Sequence, residues 1–180
     1  MGRQLRNQAT NAMTVVSEYH RDVHAGELFN TGTVQQEILK ASTYEVLFVT
    51  PVGLQVSISG FNAQFSSGDV ILTVSEGATT SSDGTIEHPS VNRNRNSAAM
   101  PGSIFYLAPT VTTPGDIISK IWLPPTTDGT GIQTGRQMGS GEDSWLLKSD
   151  TKYLFSFENL SKNRVRLSMR LSWAEIPEEI

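Results

Sequence analysis

His20 and His24 stand four residues apart, with Asp22 between them and Glu18 just before. On a helix their imidazoles would share one face, an arrangement that a divalent metal can use. No glutamate follows the first histidine, so the zinc-protease pattern is absent, and His88 lies far along the chain. The sequence contains no cysteine, which excludes thiolate metal sites, cysteine nucleophiles and structural disulfides. The two histidines therefore read as structural or solvent-facing protein-contact groups, and no metal is expected. Acyl transfer would need an activated nucleophile, a base and an orienting group. Serines are abundant, but none sits in a G-x-S-x-G elbow. Glu142 and Asp143 in "GSGEDS" are adjacent, whereas a glycosidase needs two acids facing each other across a cleft. "DGTGIQTGR" lacks the lysine of a phosphate-binding loop. No cofactor is expected, and the chain does not read as an enzyme.

The stretch "SVNRNRNSA" at residues 90–98 interleaves Arg93 and Arg95 with Asn92, Asn94 and Asn96. It could grip phosphate, dock on an acidic protein surface, or brace its own fold. Arginine offers a rigid fork for carboxylates and phosphates, and asparagine caps turns and tolerates unusual backbone angles. The flanks "IEHPSV" and "SAAMPG" add neither the basic nor the aromatic company of a nucleic-acid groove. A net charge of −4, from 14 basic and 18 acidic residues, also disfavours nucleic acid. The expectation is that Asn92, Asn94 and Asn96 satisfy backbone groups while Arg93 and Arg95 pair with acids. Glu142 and Asp143 are the candidates, within the subunit or across an interface.

The elements that would hold these residues are strands. In "RVRLSMRLSWAE", Val165, Leu167, Met169, Leu171 and Trp173 alternate with Arg164, Arg166, Ser168, Arg170 and Ser172. A period of two sends the first set to one sheet face and the second to the other. Tyr153, Phe155 and Phe157 in "KYLFSFEN" repeat the device, as do Leu54, Val56 and Ile58 in "GLQVSISG". "STYEVLFVTP", "DVILTVSEG", "SIFYLAP" and "DIISKIWLPP" bring the total to about eight to ten strands separated by turn signals. At 180 residues, with 37% hydrophobic and 18% charged, one core is affordable and two are not. The fold class is all-β: a jelly-roll-like β-sandwich over 31–180, preceded by an extended or partly helical arm over 1–30. The N-terminus shows no signal-peptide core and no myristoylation pattern, and no run is long enough to span a membrane. The arm and the long linkers at 77–102 and 124–144 are the expected contact elements.

"HRDVHAGELF", "NRNRNS", "TPG" and "GSGEDSWLLKSDTKYLFSFENLS" occur in that order before the final alternating strand. This series, spanning roughly residues 18–174, resembles small virion proteins of tailed bacteriophages that are encoded beside the major capsid protein. Such proteins are described as head decoration or cement proteins. The resemblance implies a place on the capsid surface of the virion, over joints between capsid subunits, with the major capsid protein as partner. It also implies assembly as a dimer or trimer, and it carries over no catalytic residue. The competing reading is a head-fibre or tail adhesin that binds a host glycan, for which Trp122 and Trp145 are the aromatic candidates. Trp145 in "SWLLK" is expected instead to begin a strand and enter the core.

Overall fold

The computed structural model describes residues 4–6, 13–15, 18–66, 68–86, 90–123, 133–134 and 145–177. Its elements begin with β1 (Gln4–Arg6), β2 (Met13–Val15), helix α1 (Glu18–Ala25), β3 (Leu28–Asn30) and β4 (Val34–Ile38). Then come β5 (Thr43–Val49), β6 (Leu54–Phe65), β7 (Val70–Glu76), β8 (Thr79–Ser82) and β9 (Val91–Asn92). The remainder are β10 (Ile104–Leu107), β11 (Thr110–Thr113), β12 (Asp116–Leu123), β13 (Gln133–Thr134), β14 (Trp145–Leu147), β15 (Lys152–Asn159) and β16 (Val165–Pro177).

The strands form the expected sandwich of antiparallel sheets. One sheet runs β10-β5-β15-β7-β12. The other runs β13-β6-β16-β3-β9, with β14 also on β6 and β4 also on β16. The period-two pattern of β16 is realised: Val165, Leu167, Met169, Leu171 and Trp173 are buried, while Arg166 and Arg170 are exposed. Alternation commits one face to the core because burying a large apolar side chain contributes about 1.5–3 kcal/mol. The two inner faces meet through aromatics. Phe61 on β6 stacks on Phe155 of β15 at 5.5 Å, and Phe48 on β5 meets Trp173 edge-on at 5.1 Å.

A second, smaller cluster lies on the outer side of the five-stranded sheet. There Leu47 and Leu154 are buried with Ala78, and Val111 of β11 packs against them. The β8–β11 ribbon thus covers a patch of outer face that alternation alone would leave to water. At the N-terminus, Leu28–Asn30 falls within the stretch read as arm, yet it pairs with β16 and buries Leu28 and Phe29. The helical part of that stretch is α1. Trp145 begins β14, half-buried against the core, as expected.

Candidate protein-contact site

Helix α1 ends in a Schellman turn. Gly26, at φ +77°, donates its N–H to the Val23 carbonyl at 3.1 Å, and Glu27 donates to the Asp22 carbonyl at 3.0 Å. That closure still leaves carbonyls at the helix end without helical donors. The asparagine stretch supplies them. Asn92 donates from Nδ2 to the Gly26 carbonyl at 2.7 Å and to the Ala99 carbonyl at 3.2 Å. Asn94 donates from Nδ2 to the His24 carbonyl at 3.2 Å.

The spacing of the asparagines has a physical reason. Asn92 Oδ1 accepts the N–H of Asn94 at 2.8 Å, and Asn94 Oδ1 accepts the N–H of Asn96 at 3.1 Å. Each asparagine therefore caps the amide two residues on, as Asx turns do. Ser97 continues the device, its Oγ accepting the N–H of Ala99 at 3.2 Å. With alternate residues engaged in this relay, Arg93, Arg95 and Asn96 are left exposed. The main chain is tied to the sheet at the start of the loop, where Arg93 donates its N–H to the Leu28 carbonyl at 2.9 Å.

The far end of the loop is held by a carboxylate that sequence reasoning missed. Glu175 of β16 is buried and accepts the N–H groups of Gly102 and Ser103 and the indole N–H of Trp173, each at 2.8 Å. The signal was one acid breaking the apolar run that closes the last strand. Residues 92–103 are thus clamped at both ends, one to the helix terminus and the other to the core.

The expected bracing by asparagine is present for Asn92 and Asn94, and Asn96 enters it through its main chain. Glu142 and Asp143, the acids expected to meet Arg93 and Arg95, lie outside the described residues. Arg95 makes no hydrogen bond or ion pair with another described residue. His20 and His24 share one face of α1, with ring centroids 6.4 Å apart, and both are exposed. Among the described residues no group of three or more His, Cys, Asp or Glu is gathered tightly enough to hold a metal ion. His24 and the arginine loop are neighbours through the helix-end carbonyl, so α1 and residues 92–99 form one composite surface.

A larger and a smaller concavity lie on the β16-centred sheet. The larger, about 600 Å³, is lined by Gln35, Glu37, Gln64, Ser66, Arg166 and Ser168, among others. Glu37 in it is approached by Arg164 and Arg166, each at 3.4 Å. The smaller, about 200 Å³, lies between Arg93 and Arg170. Of the tryptophans weighed for stacking, Trp122 is exposed but sits on β12 of the other sheet, and Trp145 packs half-buried against the core. No protein-family model matches the chain, and no curated protein does.

Proposed function

We propose that this chain is a non-enzymatic binding protein of a bacteriophage head, docking on the major capsid protein as a decoration or cement protein. The observation that carries the reading is the braced loop at the end of α1. Its backbone is held by side chains while Arg93 and Arg95 face solvent, which is the preorganisation a contact loop needs. Arginines on a rigid loop suit an acidic protein surface, because guanidinium and carboxylate meet as a fork. The resemblance of residues 18–174 to head decoration proteins points the same way, and with it come a virion location and a dimer or trimer at a symmetry axis. Repetition over a lattice would multiply shallow contacts into firm attachment.

The test is rebinding of the purified protein to capsids stripped of it. Charge reversal at Arg93 and Arg95 is expected to weaken rebinding by at least about tenfold. Reversal of Arg95 alone, which is exposed, should leave the melting temperature of the free protein unchanged. Full rebinding by the reversed variant, or stripped capsids as heat-resistant as decorated ones, would sink the proposal.

A second reading is favoured by one observation. The groove of about 600 Å³ presents side-chain amides beside a carboxylate held by two arginines. These groups can hydrogen-bond sugar hydroxyls, as a glycan-binding fibre or tail domain would require. Saturable binding on a glycan array, lost in Gln64→Ala and Glu37→Gln, would favour this adhesin over the decoration protein.

A further inference from the structure

Gly60 lies inside β6, directly opposite Ser172 of β16, and two residues along the same face Asn62 lies opposite Arg170. A glycine in a strand interior is normally a loss, since it gives up packing and costs backbone entropy. A β-bulge adjoins it at Ser172/Trp173, yet the φ of Gly60 is not in the left-handed region that favours glycine. A Cβ built there would touch only the Ser172 Cβ, at an ordinary 3.8 Å. Neither backbone angle nor steric crowding requires glycine at this position. Its effect is to leave open a recess of about 200 Å³ bounded by Asn62, Arg93, Arg170 and Ser172.

The groups round this recess are mostly donors without a use in the fold. The side chain of Arg170, exposed on β16, makes no hydrogen bond or ion pair with another described residue. The side chains of Asn62 and Ser172 likewise have no hydrogen-bond partner among the described residues. Arg93 adds a second positive charge at the rim, and no acid is among the described lining residues. The main chains of β6 and β16 are paired with each other, so the recess presents side-chain donors rather than a nest of backbone N–H groups. A guanidinium fork flanked by an amide and a hydroxyl matches the two coplanar oxygens of a carboxylate.

We infer that the recess over Gly60 is a carboxylate-binding site, with Arg170 as the principal ligand and Asn62 and Ser172 completing the contact. It needs no capsid to operate. The carboxylate could belong to a free small acid or to an acidic side chain of another protein, and the two are separable by experiment.

The free protein is titrated with sodium glutarate, with a short glutamate peptide blocked at both ends, and with inorganic phosphate, following backbone amides by NMR. Saturable shifts at Gly60, Asn62, Arg170 and Ser172 are expected with both carboxylates. Arg170→Gln should weaken them by at least about tenfold with no change in melting temperature. Gly60→Val, which fills the recess, should do the same while the distant strand β12 keeps its spectrum. Tighter binding of the peptide than of glutarate assigns the site to a protein side chain, and the reverse order assigns it to a free acid. Absence of saturable shifts, equal shifts in Arg170→Gln, or displacement of glutarate by a lower concentration of phosphate would each overturn the inference.

Discussion

Asn92 is a buried amide that uses both kinds of its hydrogen-bonding atoms, donating to Gly26 and Ala99 and accepting from Asn94. Truncation to alanine strands two carbonyls and one amide, and a buried unsatisfied polar group costs about 1–3 kcal/mol. Urea unfolding of Asn92→Ala should therefore show a loss in that range. Asn92→Asp should be no better, because it turns an oxygen toward two carbonyl oxygens. Gly26 faces two constraints at once. Its φ is +77°, and a Cβ would stand 2.5 Å from the Ser97 Oγ. Gly26→Ala should cost more than the roughly 1–2 kcal/mol of a left-handed L-residue. Adding Ser97→Gly should restore only the part due to collision, which a double-mutant cycle measures directly.

At the scale of elements, the edge between β7 and β15 is tied by polar side chains. The Tyr153 hydroxyl donates to Glu76 at 2.9 Å and accepts the Lys148 N–H at 2.8 Å, while the Lys148 ammonium also meets Glu76. The hydrogen bond from Lys148, then that from Tyr153, holds the Glu76 carboxyl below its ordinary value of 4.5. Lys152 and then Thr80 do the same for Asp83, below 3.8. A lowered carboxyl adds stability above its unfolded value, and that stability is lost as pH falls through the folded value. Melting temperature should thus decline on acidification below about pH 4.5, and Glu76→Gln should flatten part of the slope. These groups are partly exposed, so solvent screening keeps the effect per pair small. At the alkaline end the sign reverses. Burial chiefly pushes the Tyr153 hydroxyl up to about 12 from 10.0, so stability falls as pH rises between those values. Tyr153→Phe should remove that alkaline decline.

Over the whole molecule, cohesion runs through the aromatic seam between the sheets. Phe61 stacks on both Phe155 and Phe157, and Phe65 tilts against Phe157 from the same strand. Phe61→Ala should cost about 3–5 kcal/mol, read as a lower urea midpoint with near-ultraviolet dichroism diminished in the native baseline. The strands that make this seam were legible because alternation in "KYLFSFEN" and "RVRLSMRLSW" states which residues face inward. The short strands β4, β8 and β11 were not. "VQQEI", "TTSS" and "TVTT" carry little apolar pattern, and their strand state comes from β16 and from each other. The same holds for Leu28–Asn30, whose sequence neighbours are polar and whose partner lies far along the chain in β16.

The amino-acid sequence by itself determined the all-β class, the inward faces of the long strands, and the use of asparagine to shape residues 92–96. These are local properties: period, side-chain volume, and the reach of an amide to the backbone two residues on. Tertiary structure decided the rest. Only the docking of residues 92–99 on α1 turned Asn92 and Asn94 into a cap for a helix end. Only the return of β16 brought Glu175 to the far side of that loop, and only the register of β6 on β16 set Gly60 against Ser172 beside Arg170. Each depends on residues 66 to more than 100 positions apart, and such pairings follow from how whole sheets bury their apolar faces.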